Sequence, residues 1–223
     1  MLIEIPELLN SAQLEKIHEL LAQARFQDGK LTAGMAASRV KNNEELALEP
    51  ERLQRLYRVV MASVGHSDVF RSAVLPAKVA DFIFARYQPG MRYGDHVDDP
   101  IMGQGPKFRT DVSMTIFLNP PEAYDGGELV IRTPFGNQEV KLPAGHAVVY
   151  PSASIHRVAE VTRGERMVAL TWIQSFVREA ARRELLYELD QSREYLLRTD
   201  PESDVTKNVD RSYVNLLRMW AEV

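Results

Sequence analysis

The chain has 223 residues, 45% of them hydrophobic, with a formal net charge of −4 and no cysteine. That length supports one well-buried core with a small appendage, and the missing thiols exclude disulfides and thiolate metal sites. The charge gives no basic stripe for nucleic acid, the apolar stretches are strand-sized rather than membrane-spanning, and Met1 to Glu7 has no secretory-signal pattern, so a cytoplasmic protein is expected.

Taken in chain order, Asn10-Ser11 followed by Leu14, Ile17, Leu20, Leu21 and Ala24 reads as a capped amphipathic helix. A second helix fits Pro50 to Ala62, where Leu53, Leu56, Val59 and Val60 share a face. Between them, Gly29 to Asn43 is polar and rich in small residues, with short strands expected around Leu31 and Ser38-Arg39-Val40. The middle is short, aromatic and β-branched: Phe82 to Tyr87, Val112 to Leu118, Gly127 to Thr133, Gln138 to Leu142, His146 to Tyr150, His156 to Val161 and Met167 to Phe176. Turns such as Pro89-Gly90, Asp125-Gly126-Gly127, Pro134-Phe135-Gly136-Asn137 and Arg163-Gly164 separate them. Many short strands with frequent turns argue for an antiparallel sandwich or barrel, and with helices outside it a double-stranded β-helix (jelly roll) is the expected core. After Val177, Arg178 to Arg198 and Val205 to Trp220 read as helices broken at Asp200-Pro201. The expected organisation is therefore mainly β with flanking helices. Residues 1–177 form one domain, with strands from about 78 to 176, and residues 178–223 form a small C-terminal helical appendage.

His96-Val97-Asp98, with His156 sixty residues later and Arg166 ten beyond that, carries the chemistry. In an extended strand alternate side chains point the same way, so His96 and Asp98 can reach one metal ion. His156 from a distant strand completes a two-histidine, one-carboxylate face with open positions, a set that suits iron(II). A lone His-x-Asp recurs by chance, and on its own would read as an exposed loop pair. The surrounding turns and aromatics give it weight.

Those surroundings carry a family resemblance. Tyr87 to Asp98, with Gly90 and Tyr93 inside it, resembles the tyrosine/glycine/His-x-Asp element of prolyl-4-hydroxylase-type iron(II)/2-oxoglutarate dioxygenases. Asp125-Gly126-Gly127-Glu128-Leu129 resembles their next strand, and Pro143 to Pro151 followed by His156 their approach to the second histidine. The nearest likeness is to the bacterial PKHD-type hydroxylases, over nearly the whole chain. The resemblance implies iron ligation by His96, Asp98 and His156, and Arg166 on the distal carboxylate of 2-oxoglutarate. Arginine suits that task because its charge is fixed and its fork is bidentate. Arg166, Val168, Leu170 and Trp172 alternate onto one face, where a buried guanidinium calls for an anion. On a simple hairpin turning at Arg163-Gly164, His156 and Arg166 would lie roughly 15 Å apart, at ~3.3 Å per residue, and closer if a jelly roll passed the chain to the facing sheet.

One position departs from the family pattern. Some relatives place on the strand after the first ligands a tyrosine that contacts the distal carboxylate; here Phe117 can donate nothing, leaving Ser113, Thr115 or Tyr87 as substitutes. Tyr87 is carried forward as a cosubstrate contact. His18, His66 and His146 read as solvated or hydrogen-bonded histidines, Asp95 and Asp99 as water-facing or orienting, and Arg109 and Lys107 as part of a solvated loop. Tyr93 reads as a core aromatic or a site neighbour, and Trp172 and Trp220 as packing residues.

The function implied is hydroxylation of a peptidyl or small-molecule substrate, with Fe(2+) as cofactor and 2-oxoglutarate and O2 as cosubstrates, releasing succinate and CO2. Ascorbate could rescue oxidised iron, and relatives associated with iron uptake suggest an iron-chelating metabolite. Pocket walls are expected from Met35-Ala36-Ala37 and Met102 to Phe108, and the C-terminal helices could support a homo-oligomer. Two other readings share the ligand set: a cupin-type metalloenzyme that uses no oxoacid, and a non-catalytic iron or 2-oxoglutarate sensor.

Overall fold

The computed structural model describes residues 1–103 and 105–223. Its framework is an eight-stranded sheet facing a five-stranded one. The larger sheet runs Ile3–Ile5, Ala147–Pro151, Val112–Phe117, Arg166–Ser175, Ile83–Tyr87, Glu44–Leu46 and Phe26–Asp28, with Pro76–Val79 also paired to Arg166–Ser175. The smaller runs Gly136–Val140, Leu129–Thr133, His156–Val158, Arg92–His96 and Lys41–Asn42. Every pairing between these strands is antiparallel, as expected for the jelly roll.

Alternation explains why all six residues of Val112–Phe117 are buried. Val112, Met114 and Ile116 join the cluster beneath the helices, whereas Phe117 joins the cluster between the sheets. Met167 and Ala169 likewise face the helices while Val168 faces inward. Three helices cover the outer face of the large sheet. Helix α1 (Ser11–Ala22) starts with a reciprocal capping box between Asn10 and Gln13 and buries Ile17, Leu20 and Leu21. Helix α2 (Pro50–Val64) opens on a proline whose missing N–H costs nothing there, and α3 (Asp68–Val74) is capped by Ser67.

Two local expectations are corrected. The segments around Leu31 and Ser38-Arg39-Val40 are 3-10 turns, Gly29–Thr32 and Ala37–Arg39, rather than strands. Asp28 accepts from the Lys30 N–H and so holds the first as a turn, and the strands begin at Lys41 and Glu44. His156 and Arg166 lie on the two facing sheets, the jelly-roll alternative to a simple hairpin that the sequence allowed. The chain leaves the small sheet after Val158, pairs Val161–Gly164 with Tyr124–Gly126, and enters the large sheet at Arg166.

Helices α4 (Ala180–Thr199) and α5 (Asp204–Trp220) follow, meeting the body through Val177, Leu186 and Tyr213, with Leu75 packed against them. Among the described residues no helix is long and apolar enough to cross a membrane.

Candidate metal centre

The two histidines are cross-strand partners. His156 opens its strand directly opposite His96, and a bulge follows before Val158 meets Tyr93. Their ring centroids lie 4.2 Å apart. Asp98 is not on the ligand strand, which stops at His96. Pro100 has no N–H to prolong a ladder, and the Thr110 hydroxyl and N–H take the carbonyls of Asp99 and Pro100 instead. That turn returns the carboxylate to the histidines. Nε2 of His96 and of His156 lie 3.9 and 3.8 Å from the same Asp98 oxygen, Oδ1, and one ligand atom from each residue falls within 4.8 Å of the others. All three side chains are buried.

Hydrogen bonding fixes which atoms face this point. Nδ1 of His96 donates to the Gly94 carbonyl at 2.8 Å, and Nδ1 of His156 to the Ser154 carbonyl at 3.0 Å. A carbonyl only accepts, so both rings are held as the tautomer whose Nε2 lone pair is free. Ser113 donates to Asp98 Oδ2 at 2.5 Å and sits 2.7 Å from the Ser152 hydroxyl, which leaves Oδ1 free to turn inward. Burial, with His156 close by, pushes the pKa of His96 down to about 4, so its ring is neutral near pH 7. Tyr93 stacks on His96 at 3.6 Å between centroids, and Tyr150 meets His156 edge-on at 5.1 Å. Behind Tyr93 a buried ion pair joins Lys41 to Glu45 at 2.5 Å, with the ammonium 5.4 Å from the Tyr93 ring centre.

Arg166, 1% exposed, lines the cavity that His96, Asp98 and His156 also line. Its register partner is Tyr87, and its guanidinium carbon lies 5.1 Å from the Tyr87 ring and 5.5 Å from Phe117. No carboxylate of the described residues pairs with it by salt bridge, and its Nε is buried without a hydrogen-bond partner. A buried cation that lacks an anion marks a place for one. Burial pushes the Tyr87 hydroxyl up to about 12, keeping it a neutral donor. Two imidazole nitrogens and a carboxylate oxygen with a cavity beside them fit a ferrous ion, and the guanidinium without an ion-pair partner fits a dicarboxylate that could chelate it.

Ser113 is already engaged with Asp98. Arg109 pairs with Asp111 and Glu222 and so ties the C-terminus to the body, rather than lying in a solvated loop. Gln104 of the neighbouring loop lies outside the described residues. Asp95 faces outward to Arg132 and Arg157, and Arg163 is exposed and paired with Asp125. His18 is half-buried with Nε2 on the Leu118 carbonyl rather than solvated. Trp172 lines the cavity as well as packing. The support from Ser113 and Tyr150 was missed in the sequence because it depends on inter-sheet register.

Residues 82–174 match the model of the 2OG-Fe(II) oxygenase superfamily, and residues 181–222 that of the PKHD-type hydroxylase C-terminal domain. The whole chain is 53% identical to a PKHD-type hydroxylase of Thioalkalivibrio sulfidiphilus, with 100% of both chains covered. The chain belongs to the PKHD-type hydroxylases. A second member, from Paracoccus denitrificans, is 43% identical over 100% of both chains. As a PKHD-type hydroxylase it is an Fe(II)- and 2-oxoglutarate-dependent dioxygenase, which displaces the cupin-type and sensor readings. The fold is shared with a prolyl hydroxylase from Trichoplax adhaerens in complex with a hypoxia inducible factor peptide fragment. There the TM-score is 0.57 at 16% identity, covering 78% of this chain and 83% of that one. It is shared too with HygX from Streptomyces hygroscopicus with nickel, 2-oxoglutarate and hygromycin B bound, where the TM-score is 0.50 at 14% identity, covering 80% and 84%.

Proposed function

We propose that His96, Asp98 and His156 hold the ferrous ion of this hydroxylase, and that Arg166, flanked by Tyr87, binds the distal carboxylate of 2-oxoglutarate. Bound there, the iron would supply dioxygen activation coupled to oxidative decarboxylation of 2-oxoglutarate, yielding succinate, CO2 and a hydroxylated product. The protein's residues supply everything else. The Gly94 and Ser154 carbonyls hold Nδ1 of the two imidazoles and so aim their Nε2 atoms, Ser113 holds one carboxylate oxygen away from the metal position, and Tyr93 and Tyr150 pack against the two rings. The observation that carries this reading is the shared cavity: three convergent ligand atoms and, on the facing sheet, an unpaired buried guanidinium.

The substrate is a peptide side chain or a small molecule, both of which are bound to neighbours of this fold. An iron-chelating metabolite is the small-molecule class we favour, by analogy with relatives linked to iron uptake. Ascorbate would sustain turnover and the enzyme would act in the cytoplasm. Residues 1–177 form the dioxygenase domain, and residues 178–223 an appendage whose exposed Val205, Val214 and Met219 could meet a second copy. Incubating iron-loaded protein with 2-oxoglutarate and a cell metabolite extract tests the reaction. Succinate should form together with a metabolite heavier by one oxygen atom, and dioxygen uptake without either would contradict it.

A further inference from the structure

Two buried polar atoms, Nε of the cavity-lining Arg166 and Oη of Tyr124 packed beside it, have no hydrogen bond among the described residues. Among the described residues the only others of this kind are both on Asn43. Tyr124 and Arg166 are each 1% exposed, although they sit on different strands, Tyr124–Gly126 and Arg166–Ser175. Gly127 is what lets them meet. A Cβ on Gly127 would lie 3.0 Å from Arg166 Cδ and 3.1 Å from Tyr124 Cε2, so a bare backbone (φ +68°) leaves room for both side chains.

The chemistry of the pair is one-sided. Guanidinium is always protonated, and burial raises the Tyr124 phenol above its ordinary range although Arg166 tempers the rise. The phenol oxygen can accept from Arg166, but each group still has a proton to place and neither supplies an acceptor for the Tyr124 O–H. A carboxylate presents two oxygens with about four lone-pair sites, enough for both. The usual place for a second donor is closed here, because Phe117 offers only its ring, 5.5 Å from the guanidinium carbon. Ser113 has committed its hydroxyl proton to Asp98.

We infer that Tyr124 Oη is the second donor to the distal carboxylate of 2-oxoglutarate, closing with Arg166 the anion site that Phe117 leaves incomplete. This rests on the reading that Arg166 takes that carboxylate.

The test is calorimetric binding, without oxygen, to iron-loaded wild type and Tyr124→Phe. The probes are 2-oxoglutarate and 2-oxobutyrate, which keeps the keto-acid end and lacks the far carboxylate. Losing a hydrogen bond to a charged acceptor should weaken 2-oxoglutarate about tenfold or more, with 2-oxobutyrate unchanged. Unchanged 2-oxoglutarate affinity overturns the inference, as does an equal loss for both ligands. If wild type binds the two ligands alike, the Arg166 reading falls and the inference with it. If wild type discriminates and Tyr124→Phe discriminates equally well, only the inference falls. Independently of any variant, a crystal structure of wild type with 2-oxoglutarate and manganese in place of iron must show Tyr124 Oη within hydrogen-bond distance of that carboxylate. A carboxylate held by the guanidinium alone would contradict it.

Discussion

Ser113 shows how much of the proposed centre rests on residues other than its ligands. Its hydroxyl occupies one Asp98 oxygen and so decides which one remains for the ion. Ser113→Ala should keep the fold and weaken iron binding about 10- to 100-fold, the range for a lost supporting hydrogen bond, measured by anaerobic competition with a chelator. Wild-type affinity would make the contact incidental. Arg166→Ala should behave differently: iron affinity stays, while the 2-oxoglutarate concentration needed for half-maximal succinate formation rises steeply. If the requirement were unaltered, the carboxylate would bind elsewhere. The proposed ligands can be picked out in the sequence because their spacing is local or tied to strong turns. The route by which Asp98 reaches them was not, since it depends on Thr110, eleven residues past Asp99, capturing a carbonyl.

At the scale of elements, the turns hold the two sheets in register. A Cβ on Gly126, at φ +72°, would lie 2.0 Å from the Glu160 carbonyl oxygen, a clash with backbone that no rotamer relieves. Gly126→Ala should therefore cost more than about 2 kcal/mol, more than left-handed strain alone, read by chemical denaturation. An unchanged midpoint would mean that the turn relaxes freely. Strand positions were readable from β-branched runs and punctuation, and the face carrying Arg166 from alternation. The 3-10 turns at Gly29–Thr32 and Ala37–Arg39 differ from the expected strands because local side-chain bonds, Asp28 accepting from the Lys30 N–H and Ser38 donating to the Met35 carbonyl, favour turns over a weak local pattern. Helix α3, only seven residues long, has too little periodicity to announce itself.

For the whole molecule, the C-terminal helices are tied to the body as well as following it in sequence. Arg183 is 3% exposed, with its guanidinium donating to the Val177, Arg178 and Asp111 carbonyls, and Glu222 pairs with Arg109. Arg183→Ala should destabilise the protein by about 3 kcal/mol, since it empties a buried site and strands three carbonyls, seen as a lowered denaturation midpoint. A surface-like change below about 0.5 kcal/mol would instead mean that the tail is only tethered. The helices themselves were legible from apolar spacing. Their docking was not, because a buried arginine reads as solvated until its acceptors are known.

The centre is tested most directly by equilibrium iron binding without oxygen, comparing wild type with Asp98→Ala and His156→Ala. Wild type should retain a single ferrous ion per chain through dialysis and each variant should lose it while still melting cooperatively. If either variant holds iron with wild-type stoichiometry and affinity, these three side chains are not its ligands.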